Sequence, residues 1–360
     1  MDNYSLYIVA FIITFLVSVF ITPYVKKFAI KINAVDKPNG RKVHKSIMPR
    51  LGGLAIFISA GVGYLFLDIN SKYMSEIIIG ALIILITGIL DDKYTLSPKV
   101  KLAGQLCAAF IVVSSGLLID KVTLPFIGTV YIEYISYPVT ILWIVGVTNA
   151  INLIDGLDGL AAGVSSIALM SILILAAMDG RLIVVGLCVI LIGSTLGFLV
   201  HNFYPAKIFM GDTGALFLGY SISIISMLGL FKNVAIFSFI IPIIVLAIPL
   251  FDTFFAIIRR LLNKRNISSP DKQHLHYCLV DLGFSHRTSV LIIYLISACF
   301  GISAIIFSHA TLWSSLFIMI LLMIFIQIGA ELIGLIGNNK KPFINMLRRI
   351  FSEHRPQKDN

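Results

Sequence analysis

Long apolar runs dominate this sequence and constrain its fold more than any other feature does. A bilayer core about 30 Å thick is crossed by a helix of roughly 20 apolar residues. Because 58% of the residues are hydrophobic and only 13% are charged, a soluble globular chain and a disordered chain are both excluded. The sequence predicts an all-α, polytopic integral membrane protein with about eleven transmembrane helices. The apolar runs lie at residues 4–22, 51–67, 76–90, 102–119, 136–150, 159–178, 182–200, 213–231, 234–256, 289–308 and 311–337.

The placement of the Lys and Arg residues orients these helices. If the N-terminus lies outside, the inner segments hold 24 of the 28 Lys and Arg residues and the outer loops hold 4. Membrane proteins carry their excess of basic residues on the cytoplasmic side. We therefore expect the N-terminus outside and the long polar segments inside. The first run has no basic segment before it, so we expect a retained anchor and not a cleaved signal peptide.

The formal net charge of +10 restricts the kinds of molecule that the protein is expected to bind. A basic excess suits nucleic acid, anionic lipid or an anionic substrate, and in a membrane chain we expect membrane lipids and no nucleic acid. The four cysteines are widely spaced and form no CxxC motif. Neither a disulfide framework nor a zinc site is therefore predicted.

Four polar clusters fall on the predicted inner side, and polar residues near a bilayer usually have a function. Carboxylates at helix ends can hold Mg²⁺, lysines neutralise phosphate oxygens, and glycines let backbone amides approach anions. Histidines can bind a phosphate or exchange a proton. Together these residue types predict phosphoryl transfer at the membrane interface. The clusters are DDKYTLSPKVK (91–101), NAINLIDGLDGLA (149–161), FMGDTG (209–214) and SSPDKQHLH (268–276).

Each cluster taken alone also has a plainer explanation. An Asp-Asp pair at a helix end is often a solvated cap, and a GDxG segment is ordinary turn chemistry. Asp155 and Asp158 lie three residues apart and would serve equally well as N-cap acids. The functional interpretation therefore depends on all four clusters falling on one side of the membrane.

These segments resemble the polyprenyl-phosphate N-acetylhexosamine-1-phosphate transferase family, of the glycosyltransferase 4 type. The resemblance is strongest to the branch that starts teichoic acids and other surface polymers with GlcNAc-1-phosphate. The HLH segment, the preceding RR pair and the following GFSxR segment favour this branch over the one that transfers phospho-MurNAc-pentapeptide for peptidoglycan. Two departures occur: Tyr277 follows His276 where many members have a third histidine, and SSPDKQ replaces the SPFxPDR form. The matching segments are residues 36–57, 91–105, 149–163, 209–219 and 249–290.

The resemblance implies a reaction and its partners. The donor is UDP-GlcNAc, the acceptor is undecaprenyl phosphate, and the cofactor is Mg²⁺, with Mn²⁺ as a substitute. The products are UMP and undecaprenyl-pyrophosphate-GlcNAc. We expect one membrane-embedded catalytic domain over residues 1–337 and a basic cytoplasmic tail over 338–360, in a bacterial plasma membrane with a cytoplasmic active site. A homodimer is compatible with the sequence, which does not encode the oligomeric state.

The resemblance also implies the site residues, in three groups. The predicted catalytic residues are Asp91, Asp92, Lys101, His274 and His276. The predicted substrate-binding residues are Lys45, Asn149, Asn152, Asp155, Asp158, Phe209 (placed to stack on uracil) and Lys272 (in place of an arginine). The predicted metal ligands are Asp212 and Asp92.

The sequence is compatible with two mechanisms and with two alternative functions. Asp91 or Asp92 orients the acceptor phosphate for direct attack on the β-phosphorus of UDP-GlcNAc, or an aspartyl-phosphate forms first. The prenyl chain needs an apolar groove, for which spans eight and nine are candidates because Pro242 and Pro249 predict a bend. The other functions are the peptidoglycan-branch transferase and a transporter or flippase, which would show internal repeats and charges near mid-membrane.

Overall fold

The structure is a computed structural model that describes residues 3–36, 47–124, 128–229, 240–264, 266, 271, 273–334 and 343. In that part of the chain it contains thirteen α-helices, two small antiparallel sheets and one turn of 3-10 helix at Glu133–Ile135. The helices are α1 Asn3–Lys31, α2 Gly52–Leu67, α3 Met74–Tyr94, α4 Pro98–Ser114, α5 Ser136–Ile154, α6 Leu160–Met178, α7 Leu182–Asn202, α8 Gly211–Gly229, α9 Ile240–Val245, α10 Ala247–Leu262, α11 Leu275–Asp281, α12 His286–Ser308 and α13 Leu312–Ile333. The strands are β1 Val35–Asp36 paired with β2 Met48–Pro49, and β3 Lys121–Leu124 paired with β4 Gly128–Tyr131.

Eight of the described helices are long and apolar enough to cross a membrane, namely α1, α3, α5, α6, α7, α8, α12 and α13. The runs predicted at 51–67, 102–119 and 234–256 form shorter helices, which are α2, α4 and the pair α9 and α10. The predicted all-α, polytopic architecture is therefore confirmed. The count of eleven spans and the inner-face position of the site stay predictions.

Helix α8 is the centre of the bundle. In its most apolar stretch 83% of the residues are buried, against 6% in α13 at the periphery. It packs against α2, α3, α5, α6 and α7. Small residues allow this close approach, because a Cβ at Gly88 of α3 would lie 2.5 Å from Thr213 Cα. The residues at the start of α8 are therefore surrounded by the ends of several other helices.

Helix α1 ends later than the sequence predicts, whereas the ninth run is interrupted where a bend is predicted. Helix α1 continues to Lys31, nine residues beyond the predicted run, and so carries three lysines in its last turns. The ninth run is interrupted at Leu246, between α9 and α10. Pro249 lies in the first turn of α10 and has no N–H to donate to the carbonyl four residues earlier. The interruption falls where the two prolines predict a bend.

The helix ends that carry the polar clusters meet at one end of the bundle. Gly52 N–H, at the start of α2, donates a hydrogen bond to Phe209 O before α8 (3.0 Å). Gly159 N–H, before α6, donates to Asn202 Oδ1 at the end of α7 (3.1 Å). We call this end, with residues 50–53, 91–101, 149–159 and 202–213, the polar end.

Candidate active site

Four helices bring charged and amide groups together at the polar end. Lys101 Nζ, in the first turn of α4, lies 2.8 Å from Asp91 Oδ2 near the end of α3. The same ammonium contacts Asp212 Oδ2 in the first turn of α8. Asn152 Nδ2 of α5 donates a hydrogen bond to Asp212 Oδ1 over 2.7 Å. Residues that are far apart in the chain thus share one small volume.

Asp92 holds the N-terminus of α8. Its Oδ1 accepts a hydrogen bond from the backbone N–H of Asp212 (2.9 Å), and its Oδ2 accepts from the N–H (3.0 Å) and hydroxyl (2.6 Å) of Thr213. Gly211 has φ +71°, and a Cβ there would lie 2.7 Å from Asp92 Oδ1. A carboxylate is stabilised at a helix N-terminus by the free amides and by the helix dipole. Asp92 thereby fixes the position of Asp212.

The acids of this region differ in their access to ligand. The side chains of Asp91 and Asp212 are 9% and 17% exposed, whereas that of Asp92 is 0% exposed. Asp91 Oδ1 accepts a hydrogen bond from Leu96 N–H (2.7 Å) and its Oδ2 faces Lys101. Of these three acids, Asp91 and Asp212 are therefore the ones that a ligand can reach. We call Asp91, Asp92, Lys101 and Asp212 the acid–lysine cluster.

Arg50 is a site residue that the sequence reasoning missed. Its Nε lies 3.8 Å from Asp92 Oδ1, and its side chain is 34% exposed. Its positive charge also acts on Asp155. A guanidinium offers five N–H donors in a fork that matches phosphate oxygens. The only signal in the sequence is its position directly before the Leu-Gly-Gly that begins α2.

Asn149 and Asp158 have partners within the protein. Asn149 exchanges hydrogen bonds with the Gln105 amide of α4, at 2.6 and 3.2 Å. Asp158 Oδ2 accepts from Ala206 N–H (2.9 Å), and the Asp158 N–H donates to His286 Nε2 (2.9 Å). These contacts hold α4 to α5 and anchor the segment that leads to α8. The predicted substrate-binding roles of Asn149 and Asp158 stay predictions.

Asp155 follows α5 directly and carries a perturbed carboxyl. Burial raises its pKa to about 7; Arg50 lowers that pKa, whereas the nearby acids Asp92 and Asp158 raise it. The carboxyl therefore changes charge near neutral pH. Asp155 lies in the same turn as Gly156, against which a histidine ring packs.

The histidine motif is held by α10. His274 Nδ1 lies 2.9 Å from Asp252 Oδ2, and Leu275 N–H donates to Asp252 Oδ1 over 2.8 Å. Farther along α10, Arg259 Nη2 lies 2.6 Å from Asp271 Oδ2. We call residues 273–276 the histidine loop. Sequence reasoning missed Asp252, although a lone acid in an apolar run, seven residues before an Arg, was an available signal.

His276 joins the histidine loop to the turn after α5. A Cβ at Gly156 would collide with the His276 ring, so glycine is needed for the two segments to touch. His276 is 1% exposed, and neither ring nitrogen has a hydrogen-bond partner among the described residues. Burial lowers the pKa of His276 to about 4, so the ring is neutral at pH 7; Asp252 raises that pKa, and His274 and His286 lower it further.

The remaining predicted residues divide into two groups. Phe209 is half-buried directly before α8, where its N–H donates to Pro49 O (2.8 Å). Lys45 and Lys272 lie outside the described residues, as does the 338–360 tail except for Phe343.

An apolar cavity of about 140 Å³ lies between α10, α12 and α13, and Asp252 forms part of its wall.

The donor set suits a hard cation that also binds phosphate. Lys101 already places a positive charge between Asp91 and Asp212. Among the described residues, no three His, Cys, Asp or Glu side chains are grouped to hold a metal by themselves. Mg²⁺ typically uses one or two carboxylates and completes its coordination with water and substrate phosphates. Asp91 and Asp212 fit that requirement, because in the described part of the chain one oxygen of each faces only the Lys101 ammonium. The side chain of Asp92 is 0% exposed, and its oxygens hold the backbone at the start of α8.

Comparison with known proteins adds the family. The profile of glycosyl transferase family 4 matches residues 74–230. The chain is 56% identical over 345 residues to a probable undecaprenyl-phosphate N-acetylglucosaminyl 1-phosphate transferase of Bacillus subtilis, covering 95% of this chain and 96% of the relative. It is 35% identical over 312 residues to a decaprenyl-phosphate N-acetylglucosaminephosphotransferase of Mycobacterium tuberculosis strain H37Rv, covering 78% and 77%. It is 28% identical over 285 residues to an undecaprenyl-phosphate alpha-N-acetylglucosaminyl 1-phosphate transferase of Salmonella typhimurium, covering 76% of each chain. With the acid–lysine cluster inside the matched region and the similarity running through nearly the whole chain, this protein belongs to glycosyl transferase family 4.

Proposed function

We propose that this protein transfers GlcNAc-1-phosphate from UDP-GlcNAc to undecaprenyl phosphate, releasing UMP and forming undecaprenyl-pyrophosphate-GlcNAc. The names of the relatives in Bacillus subtilis and Salmonella typhimurium support the acceptor and the transferred group. The observation that carries the proposal is the contact of Lys101 with both Asp91 and Asp212 at the end of an otherwise apolar bundle. Charges in that place suit a reaction between a membrane lipid and a water-soluble anion.

Asp91 is the acid that would act on the acceptor. Its side chain is 9% exposed whereas that of Asp92 is fully covered, and only the former has an oxygen directed at an ammonium that a phosphate could also approach. Asp91 would orient the undecaprenyl phosphate and take a proton from it if the phosphate arrives protonated. Asp92 would act indirectly, because the hydrogen bonds that it accepts from the start of α8 hold Asp212 in place.

The proposed step is one in-line displacement. An oxygen of undecaprenyl phosphate forms a bond to the β-phosphorus of UDP-GlcNAc, and the bond from that phosphorus to the bridging oxygen breaks. The electron pair leaves with UMP. Lys101 and Arg50 would neutralise the phosphate oxygens, because both cations border the same group of acids. A two-step route through an aspartyl-phosphate is the alternative, and it would retain the configuration at phosphorus where one displacement inverts it.

Mg²⁺, or Mn²⁺ in its place, would be held by Asp212 with Asp91. When bound, the ion would neutralise the diphosphate and the departing UMP. Substrate arrival would require Lys101 to shift from the space between the two carboxylates to a phosphate oxygen. Asn152 would keep Asp212 oriented through its hydrogen bond to Oδ1.

The cellular setting follows from the charge distribution. The predicted eleven spans place 24 of the 28 Lys and Arg residues on one side. On that arrangement the polar end would face the cytoplasm, where UDP-sugars occur, and the N-terminus would lie outside. The prenyl chain would lie along α10, next to the apolar cavity. The product would start a teichoic acid or another surface polymer.

The test is a donor and acceptor assay on the purified full-length protein in lipid nanodiscs. UDP-GlcNAc, undecaprenyl phosphate and Mg²⁺ should give UMP and the lipid pyrophosphate in equal amounts, and omitting the acceptor should stop UMP release. Turnover only with UDP-MurNAc-pentapeptide would assign the peptidoglycan-branch reaction instead. Solute flux in liposomes without UMP release would favour a transporter. Chiral thiophosphate at the β-position would distinguish one displacement from two.

A further inference from the structure

Asp252 is a buried acid that the proposed reaction does not use. It lies in α10 and is 3% exposed, in a helix whose neighbouring residues Ile248, Phe251 and Phe255 line an apolar cavity. An acid in such surroundings is destabilising unless its oxygens have partners. Both oxygens do, because Oδ2 lies 2.9 Å from His274 Nδ1 and Oδ1 accepts from Leu275 N–H over 2.8 Å.

The pairing determines which nitrogen of His274 is left for a ligand. A carboxylate only accepts hydrogen bonds, so Nδ1 carries the hydrogen and Nε2 is the other, available position. His274 Nε2 has no hydrogen bond to any described residue. The ring also lies parallel to that of His276, with 5.9 Å between centroids and 4° between planes. Imidazole orientation is therefore set from two sides.

A second contact with α10 fixes Asp271, which precedes the histidine loop. Arg259 lies seven residues after Asp252, two helical turns along the same face of α10, and pairs with Asp271 at 2.6 Å. The other Asp271 oxygen accepts from Gln273 N–H over 3.0 Å. One face of α10 thus holds both ends of the segment from 271 to 275. Of the two acids in these contacts, Asp252 alone bonds to a predicted catalytic side chain.

We propose that Asp252 is a positioning residue for the transfer reaction, which holds His274 with Nδ1–H bonded to the carboxylate and the acceptor nitrogen Nε2 directed to the bound nucleotide sugar. The inference rests on the proposed function. A carboxylate bonded in this way keeps the imidazole in one tautomer. In that tautomer His274 Nε2 carries a lone pair, and it would accept a hydrogen bond from a hydroxyl group of the nucleotide sugar.

The test is a double-mutant cycle on kcat/KM for UDP-GlcNAc, measured in nanodiscs with saturating undecaprenyl phosphate. Asp252→Asn is nearly isosteric, but its NH₂ group favours the opposite tautomer of His274. We expect Asp252→Asn to lower kcat/KM by about 10- to 100-fold in the wild-type background. In a His274→Ala background the same change should lower it less than about 2-fold, because two residues acting as one unit are not additive. Asp281→Asn, an exposed acid of α11, is the matched control and should stay within 2-fold of wild type.

Equal losses in the two backgrounds would overturn the inference, because Asp252 would then act only on the fold. If Asp252→Asn does not accumulate as folded protein, Asp252→Glu keeps the charge and displaces it by one methylene. Its loss of kcat/KM should likewise disappear in the His274→Ala background, and a loss that persists there contradicts the proposal. Absence of turnover in the wild-type protein would overturn the proposed function together with the inference, whereas wild-type turnover with an additive cycle overturns the inference alone.

Discussion

Two regions of the candidate site, the acid–lysine cluster and the histidine loop, differ in how their buried polar atoms are paired. In the acid–lysine cluster, the carboxylates of Asp91, Asp92 and Asp212 all have hydrogen-bond or ion-pair partners within the protein. In the histidine loop, His276 is 1% exposed and neither ring nitrogen has a partner among the described residues. Buried polar atoms are paired in the great majority of native structures. The acid–lysine cluster is therefore held by internal contacts, whereas the histidine loop contains one buried ring that no described residue pairs.

This difference separates the expected roles of the two regions. A ligand that enters the acid–lysine cluster must replace contacts that already exist, so substitutions there should act on the chemical step. In the histidine loop, by contrast, His276 is buried without a described partner, and a buried unpaired polar group costs about 1–3 kcal/mol. Substitutions in the loop should act on binding and on stability. The predictions below test that separation.

The largest effect is expected for Asp212→Asn. The variant keeps the size of the side chain but removes the charge that pairs with Lys101 and would hold Mg²⁺. We expect kcat to fall by about 10³-fold with little change in the melting temperature in detergent, measured by UMP release and by fluorescence-detected unfolding. Asp120→Asn, an exposed acid before β3, is the matched control. Near-normal turnover of the Asp212 variant would remove the acid–lysine cluster from the mechanism.

Lys101→Met should lower turnover by about 10²-fold and tighten Mg²⁺ binding. The ammonium stands between Asp91 and Asp212, so its removal leaves two facing carboxylates that a divalent cation can bridge. Isothermal titration with MgCl₂ in the absence of nucleotide measures this directly. Unchanged or weaker Mg²⁺ binding in the variant would show that lysine and metal do not share this space.

Much of the site could be predicted from residue type and position. Asp91, Lys101 and Asp212 were predicted to lie at one end of the bundle, and the structure joins them. Arg50 and Asp252 were missed for a physical reason: each is recognisable only by its partner, and those partners lie 42 and 22 residues away in the chain. The pairing of distant helices is set by packing around α8, which local pattern does not encode.

The fold shows the same limit at helix boundaries. Apolar runs located twelve of the thirteen described helices, all except the short α11, because the requirement for paired backbone groups in lipid leaves few alternatives to a helix. The end of α1 was placed too early because Lys26, Lys27 and Lys31 were assigned to a loop, yet a helix can carry lysines at its end by extending their long side chains. The β3–β4 hairpin was not predicted, since its short strands lie within an exposed connection.

His276→Phe should affect stability more clearly than the chemical step. Burial lowers the pKa of His276 to about 4, below the ordinary value of 6.5, so between those values the unfolded chain binds the proton and the folded chain does not. Folding stability should therefore fall by about 3 kcal/mol as the pH drops from 6.5 to 4. The phenylalanine variant should lose less stability over that range, as measured by thermal unfolding in detergent, while kcat/KM falls about 10-fold. Identical acid sensitivity of variant and wild type would contradict the neutral, unpaired histidine.

The smallest effect is expected at Asp155, which lies between the two regions. Burial raises the pKa of its carboxyl to about 7, with Arg50 lowering it and Asp92 and Asp158 raising it. The ionised fraction therefore increases between pH 6 and pH 8, and only the ionised form is free of an O–H donor that would oppose another donor group. We expect the KM for UDP-GlcNAc to fall a few-fold over that range in the wild type and to stay constant in Asp155→Asn. A KM that falls equally in both proteins would show that another group titrates. Asn152, which donates a hydrogen bond to Asp212, would then be the last residue of this segment with a contact to the acid–lysine cluster.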